Sequence, residues 1–495
     1  MSKKLKILYA SAEVVPFAKT GGLADVAGAL PAELAKMGHD VRVVMPRFSS
    51  IDGDKFMLKT ITAPFKIPLG NELIDITVAE SDAIAGVPTY FIEIDALFHR
   101  NSLYGQPDDD RRFIAYCRGM LEMFEHIGWF PDVISCNDWH SALVPVYLKT
   151  VYANQEKFRR IATLYTVHNL AYQGTFSENV MHLAGLPAAL FTWDKLAYYN
   201  TFNFMKVGLL YADVISTVSE GYAEEIATKE YGAGLEGVIE YRKHDLFGIL
   251  NGIDYDIWNP RTDKLIPANF NVSDLKGKAE CKRALQVEMG LAVDANTPVF
   301  GLISRLSSQK GLDILAEVLP ELLKKQDMQV VILGTGDEYF HTMLKKLAAL
   351  HPDKLALALR FDNALAHRIY AASDAFLMPS QYEPCGLGQM FSLAYGTVPV
   401  VRATGGLADT VNNFDLHDPA SKGNGFVFEE YSSSELRKTI LACLNCYHEA
   451  PGSWAQLVKN AFAGDFSWHN SAARYLEVYQ HALLKVRGGA GSFDE

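Results

Sequence analysis

KILYASAEVVPFAKTGGLADVAGALPAELAKMGHDVRVVM, Lys6 to Met45, is the stretch whose reading decides the fold. Lys6–Ala10 is short and apolar and predicts a strand. Ser11–Gly22 reads as a loop, and Leu23–Met37 as a helix that carries Pro31. Gly38 ends it, and Val41–Met45 predicts a second strand, completing a βαβ unit. The same rhythm continues through DVISC (Asp132–Cys136), IATLYTV (Ile161–Val167), DVISTV (Asp213–Val218) and FGIL (Phe247–Leu250). It restarts at Pro298 with PVFGLIS, QVVILG, LALAL, AFLM and VPVVR, alternating with helices such as Gly311–Lys325. Short apolar strands alternating with long amphipathic runs predict an α/β class with two doubly wound parallel sheets. The polar stretch Asn251–Lys264 reads as the hinge between them, and Ser471–Val486 predicts a terminal helix with one apolar face.

TGGLAD occurs twice, within KTGGLADV (Lys19–Val26) and ATGGLADTV (Ala403–Val411). A chance six-letter match in a chain this long is on the order of one per cent. Both copies follow strands and open helices, where glycine lets backbone N–H groups approach an anion.

The chain has 495 residues, too many for one ordinary core. Its 21% charged residues and mean hydropathy of +0.02 describe a globular protein rather than a disordered one. A net charge of −12 argues against nucleic acid or an anionic membrane as partner, though a local basic cluster still suits an anionic small molecule. No signal peptide or membrane span is read, and the six scattered cysteines fit a reducing cytoplasm.

Ligands of open parallel sheets bind beyond the carboxyl ends of the strands, and the unusual polar residues cluster there. Asn137, Asp138 and His140 follow DVISC, His168 follows IATLYTV, and Asn251 follows FGIL. In the second half Arg305 and Lys310 follow one strand, Thr335–Asp337 another, and Glu383–Gly388 a third. Several cations beside helix amino ends suit a diphosphate. GAGLEG (Gly232–Gly237) fits the dinucleotide pattern GxGxxG but follows a charged helical run rather than a strand, so it is discounted. Asp108–Asp110, next to Arg111 and Arg112, reads as a solvated charge cluster.

With these residues in order, a resemblance emerges. KTGGLADV, TVHNLAYQG (Thr166–Gly174), NGID (Asn251–Asp254), SRLSSQKG (Ser304–Gly311), EPCGLGQ (Glu383–Gln389) and YGTVPVVRATGGLADTV (Tyr395–Val411) together resemble bacterial glycogen synthases and plant starch synthases. The resemblance implies two Rossmann-like domains facing a deep cleft, the type-B glycosyltransferase fold. Expected boundaries are 1–252 for an acceptor-side domain, 253–470 for a nucleotide-sugar domain, and 471–495 for a helix packing back on the first.

It also implies a retaining transfer of glucose from ADP-glucose to an α-1,4-glucan. The alternatives are UDP-glucose or another acceptor on the same fold, and, more remotely, a non-catalytic glucan binder. Arg305 and Lys310 match the pair that neutralises the diphosphate leaving group, and Glu383 the glutamate facing the donor sugar. His168 matches a glucose-contacting histidine, with Asp138 and Asn251 lining the sugar pocket. Cys385, Gly386 and Leu387 would present backbone amides, with Thr404 and Gly405 beside them. Phe361 stands where a tyrosine often stacks on adenine, and its alternative is core packing. Lys19, Gly22 and Gly334 complete the donor-binding set, Lys19 serving phosphate or acceptor. Gly388 departs from the family, where Thr or Asn is common. No metal and no cofactor is invoked, partners are the sugar nucleotide and glycogen or a related glucan, and the oligomeric state is open.

Overall fold

The computed structural model describes residues 4–418 and 421–488. The chain divides into two compact units, Met1–Gly252 with Trp468–Glu495, and Ile253–Ser467.

Unit 1 is built on β1 (Lys6–Ala10), β2 (Asp40–Pro46), β3 (Glu72–Ile84), β4 (Val87–Glu93), β5 (Val133–Asn137), β6 (Ala162–Val167), β7 (Val214–Thr217) and β8 (Leu246–Gly248). They lie in the order β8-β7-β6-β5-β1-β2-β4-β3, and every pair is parallel except β3 with β4. The Pro-bearing helix Gly22–Lys36 links β1 to β2 and buries Leu23, Val26, Leu30 and Leu34. Each such side chain contributes roughly 1.5–3 kcal/mol by leaving water. Strands β5 and β6 are buried at every position, which is why they read as continuous apolar runs.

Unit 2 has β9 (Val299–Ile303), β10 (Gln329–Leu333), β11 (Leu355–Ala358), β12 (Ala375–Met378), β13 (Val398–Arg402) and β14 (Phe426–Phe428). They form a wholly parallel sheet in the order β11-β10-β9-β12-β13-β14. Numbered within the unit this is 3-2-1-4-5-6, the doubly wound order, with separate apolar cores on its two faces. The order reverses between β9 and β12 here and between β1 and β5 in unit 1. Loops diverge at such a point and leave a crevice.

The terminal helix spans Trp468–Gly488, starting before the expected Ser471, and packs within unit 1 on helix Gly22–Lys36 and on β6. Ser471 Oγ donates to Leu250 O at 2.6 Å, and Arg487 pairs with Asp132 at 2.7 Å. Residues 489–495 of that expected segment lie outside the described residues. Beside β14 and the short strands Lys59–Thr60 and Phe65–Leu69, two larger features escaped the sequence reading. One is the antiparallel pair β3–β4; the other is a small sheet of Thr175–Ser177, Ala197–Tyr198 and Thr201–Asn203.

The acidic triplet is corrected. Asp109 is buried and pairs with Arg112 at 2.5 Å. Arg112, wholly buried, also donates to the carbonyls of Leu97 and Leu103. Helix Asp109–Ile127 turns this pair inward, so it is not solvated.

Candidate active site

At the switch point of unit 1 stands a residue the sequence reading passed over. Glu13 follows β1, is 4% exposed, and accepts hydrogen bonds from the backbone N–H groups of Thr20 and Gly21. Its other oxygen takes Thr20 Oγ1 at 2.6 Å and Tyr104 Oη at 2.8 Å. One carboxylate therefore clamps the KTGG loop. An acid just past the carboxyl end of a buried strand was the only signal. Two of its four partners are backbone amides and a third is the hydroxyl of Tyr104, 91 residues away, none of which a sequence displays.

Across the same switch point Asp138 follows β5. Its backbone has φ +52° and ψ −176°, a region costly for any residue but glycine. Burial raises its carboxyl from 3.8 to about 7, against the backbone amides of His168 and Asn169 that favour the charge, while nearby Glu13 adds to the rise. The His168 amide donates to Asp138 Oδ1 at 2.8 Å.

The His168 ring is fixed by Asn137. Asn137 Nδ2 donates to the carbonyls of Ala10 and Ser135, so Asn137 Oδ1 must be the acceptor facing His168 Nε2 at 2.9 Å. Burial lowers the imidazole to about 3, so the ring is neutral near pH 7. With the proton on Nε2, Nδ1 is left as an acceptor for a hydroxyl.

Lys19 pairs with Asp25 at 2.7 Å, and both side chains are partly exposed. Gly22 opens the helix, with no protein atom within 4 Å of where a Cβ would stand. Asn251, beyond β8, is 7% exposed and its buried Oδ1 has no hydrogen-bond partner among the described residues. Such a group is costly unless something satisfies it.

In unit 2 the expected residues all follow parallel strands and so gather at one edge of the sheet. Lys310 follows β9 and Glu383 follows β12, the two strands of the switch point. Their side chains meet, Nζ to Oε2, at 2.6 Å, and Ser380 Oγ adds a bond to the same oxygen at 3.0 Å. Arg305, on the loop of Lys310, is exposed and has no ion pair among the described residues. The structure thus holds one partnered cation and one uncompensated cation on a single loop.

Cys385 is buried, Gly386 has φ +69°, and Leu387 caps helix Gly388–Ala394. Thr404 caps helix Gly405–Thr410. A Cβ on Gly405 would lie 2.2 Å from Glu383 O, and one on Gly406 2.0 Å from Cys385 O. The second TGG is therefore written by the close approach of its own neighbour, the EPCG loop. The first, around Gly22, has no such neighbour. The helices also start in different registers, at the second glycine in unit 1 and at the first in unit 2.

Gly334 presses on Ser304, where a Cβ would meet its carbonyl at 2.0 Å. Phe361 follows β11 at the sheet edge and is 82% exposed, so the core-packing alternative fails. Gly388 has a physical account. A Cβ there would sit 3.2 Å from Met378 Sδ and from Phe376, space already filled from below. GAGLEG follows helix Glu220–Ile226 through a turn and runs into the first two residues of helix Glu236–Tyr241, with no strand before it.

Residues 6–241 match the family described as the starch synthase catalytic domain, and residues 290–461 match glycosyl transferases group 1. A glycogen synthase of Desulforudis audaxviator is 47% identical over 98% of both chains. The chain belongs to the glycogen synthase family. A glycogen synthase of Moorella thermoacetica is 46% identical, covering 98% of this chain and 99% of that one. The catalytic domain of starch synthase IV from Arabidopsis thaliana, solved bound to ADP and acarbose, aligns with a TM-score of 0.89 at 33% identity. That match covers 97% of this chain and 100% of that one. The chain is a glycosyltransferase of the glycogen and starch synthase kind, with two Rossmann-like units. Among the described residues no helix is long and apolar enough to cross a membrane.

Proposed function

We propose that the chain transfers glucose from ADP-glucose to the 4-hydroxyl at the non-reducing end of an α-1,4-glucan, with retention and without a metal ion. The observation that carries this reading is the switch-point arrangement of unit 2, Lys310 bound to Glu383 with Arg305 uncompensated beside it in sequence. A diphosphate gathers charge as its bond to the sugar breaks, and cations fixed in advance stabilise that charge. Arg305 and Lys310 take this role, with the amides of Cys385, Gly386 and Leu387 and the Thr404–Gly405 turn completing the phosphate side. Phe361 offers a ring face to adenine, and the Arabidopsis neighbour bound to ADP supports a nucleotide here.

The groups of unit 1 suit the sugar. Neutral His168 offers Nδ1 to a hydroxyl, and the orphaned Oδ1 of Asn251 accepts another. Asp138 lines the same strand edge. In the transfer, the C1–O bond to the β-phosphate breaks and a C1–O4 bond to the acceptor forms on the same face. The acceptor proton passes to the departing phosphate oxygen, so no enzyme carboxylate need bond to the sugar. The domains proposed for these roles are 1–252 and 253–470. Six free, buried thiols support a reducing compartment, the cytoplasm.

Linkage analysis tests the reading. ADP-glucose and maltotriose should give maltotetraose whose new bond is α-1,4 by proton NMR and is cut by an α-1,4-specific hydrolase. A β-linked product would overturn retention, and a glucosyl adduct trapped on Glu383 or Asp138 would overturn the same-face attack.

A further inference from the structure

Unit 2 contains a cavity of about 400 Å³ away from its strand-edge loops, within the range of small-ligand sites. Its polar lining comes from Tyr255, Asn259, Arg261, Asn271 and Asp465, and Phe462 adds an aromatic surface. None of these residues belongs to the set assigned above.

Its donors are unspent. Asn259 Oδ1 accepts the Arg261 amide, and Asn271 Oδ1 accepts from Ser273, but neither Nδ2 has an acceptor among the described residues. The Arg261 guanidinium forms no ion pair or hydrogen bond there. The walls are held in place. Tyr255 Oη accepts from the Phe466 amide at 3.2 Å, and Ile253 N donates to Phe466 O at 2.8 Å. Behind them, buried Asp263 takes Tyr395 Oη at 2.5 Å and His367 Nδ1 at 2.8 Å, with Trp258 stacked on the His367 ring at 3.8 Å.

Two amides, one guanidinium, one carboxylate and an aromatic face make a lining of balanced charge. A phosphate would meet Asp465 as well as Arg261. A neutral polyol instead finds donors, an acceptor and a ring surface for its C–H face. We propose that this cavity is an accessory binding site for a segment of neutral α-glucan, which holds the polymeric acceptor on the enzyme. The proposal rests on the glucan reading above. The cavity shares no lining residue with the transfer site, so its occupation should raise affinity for polymer and leave a short acceptor unaffected.

Two variants test it. Arg261→Ala with Asn271→Asp removes donors while keeping the Oδ1 turn, and Ala463→Trp fills the space. Both should raise KM for glycogen about fivefold to tenfold, as the loss of two ordinary hydrogen bonds would. The thermal midpoint, and kcat and KM with maltotriose, should stay at wild-type values. Maltohexaose should slow amide exchange in 255–272 and 462–465 of the wild type but not of the variants, and inorganic phosphate should leave those segments unchanged. Unaltered KM for glycogen, or protection by phosphate instead of maltohexaose, would overturn the proposal. The exchange measurement needs no turnover. A wild type inactive toward glycogen but protected here would therefore count against the catalytic reading and not against this site.

Discussion

Lys310 Nζ lies 2.6 Å from Glu383 Oε2 at the strand reversal of unit 2, with the two side chains only 16% and 9% exposed. A pair this buried is costly to break from one side, because the remaining charge loses its partner and stays out of water. Lys310→Met should destabilise the protein by about 3–5 kcal/mol. Lys310→Met combined with Glu383→Gln should cost less than the sum of the single changes. Urea unfolding of the four proteins gives the coupling; strict additivity would show that the pair is not energetically joined.

Arg305 differs because it is exposed and has no ion pair among the described residues. Arg305→Ala should leave the thermal midpoint unchanged while lowering kcat by roughly 10²–10³, the scale seen when one preorganised donor to developing charge is lost. A large loss of stability with little loss of turnover would reverse the assignment.

Asp138 predicts a pH dependence of stability. Its carboxyl titrates near 3.8 when unfolded and at about 7 when buried. Between those values the folded protein keeps a proton that the unfolded chain releases, so this group's contribution falls as pH rises and levels off above the folded value. Asp138→Asn abolishes that slope and keeps an oxygen for the His168 amide. At pH 8 the variant should be more stable than wild type by on the order of 3 kcal/mol, and less active. Equal stability of the two proteins at pH 5 and pH 8 would refute the proton assignment.

The twin glycine loops should answer alike substitutions differently. Gly405→Ala places a Cβ 2.2 Å from Glu383 O on a backbone with φ +43°, and should cost about 3 kcal/mol. Gly22→Ala meets no protein atom and should stay within about 1 kcal/mol of wild type. If Gly22 binds the donor as proposed, the variant should nevertheless raise KM for the sugar nucleotide. A Gly22→Ala enzyme with wild-type donor kinetics would leave that glycine without a ligand role.

Much of this was legible because strands β5, β6 and β9 through β13 are buried on both faces and so read as apolar runs. Polar residues cluster at their carboxyl ends, which is why Asp138, His168, Lys310 and Glu383 stood out. The hairpin β3–β4 was not legible, since its burial alternates irregularly along an edge of the sheet. Arg112 was misjudged because helix phase, not composition, decides that it turns inward. Glu13 was missed because its partners are two backbone amides, a neighbouring hydroxyl and the distant Tyr104. TGGLAD looked like one signal written twice, yet packing explains the second copy alone.

The proposed transfer to glucan is donor-specific and rests on fixed cations rather than a metal. Its most direct test is incorporation of labelled glucose into glycogen, in EDTA, from ADP-glucose and separately from UDP-glucose, with Arg305→Ala as control. Incorporation is expected from ADP-glucose, with little from UDP-glucose and loss in the variant. Incorporation only after magnesium is restored, or from UDP-glucose in preference, would contradict it.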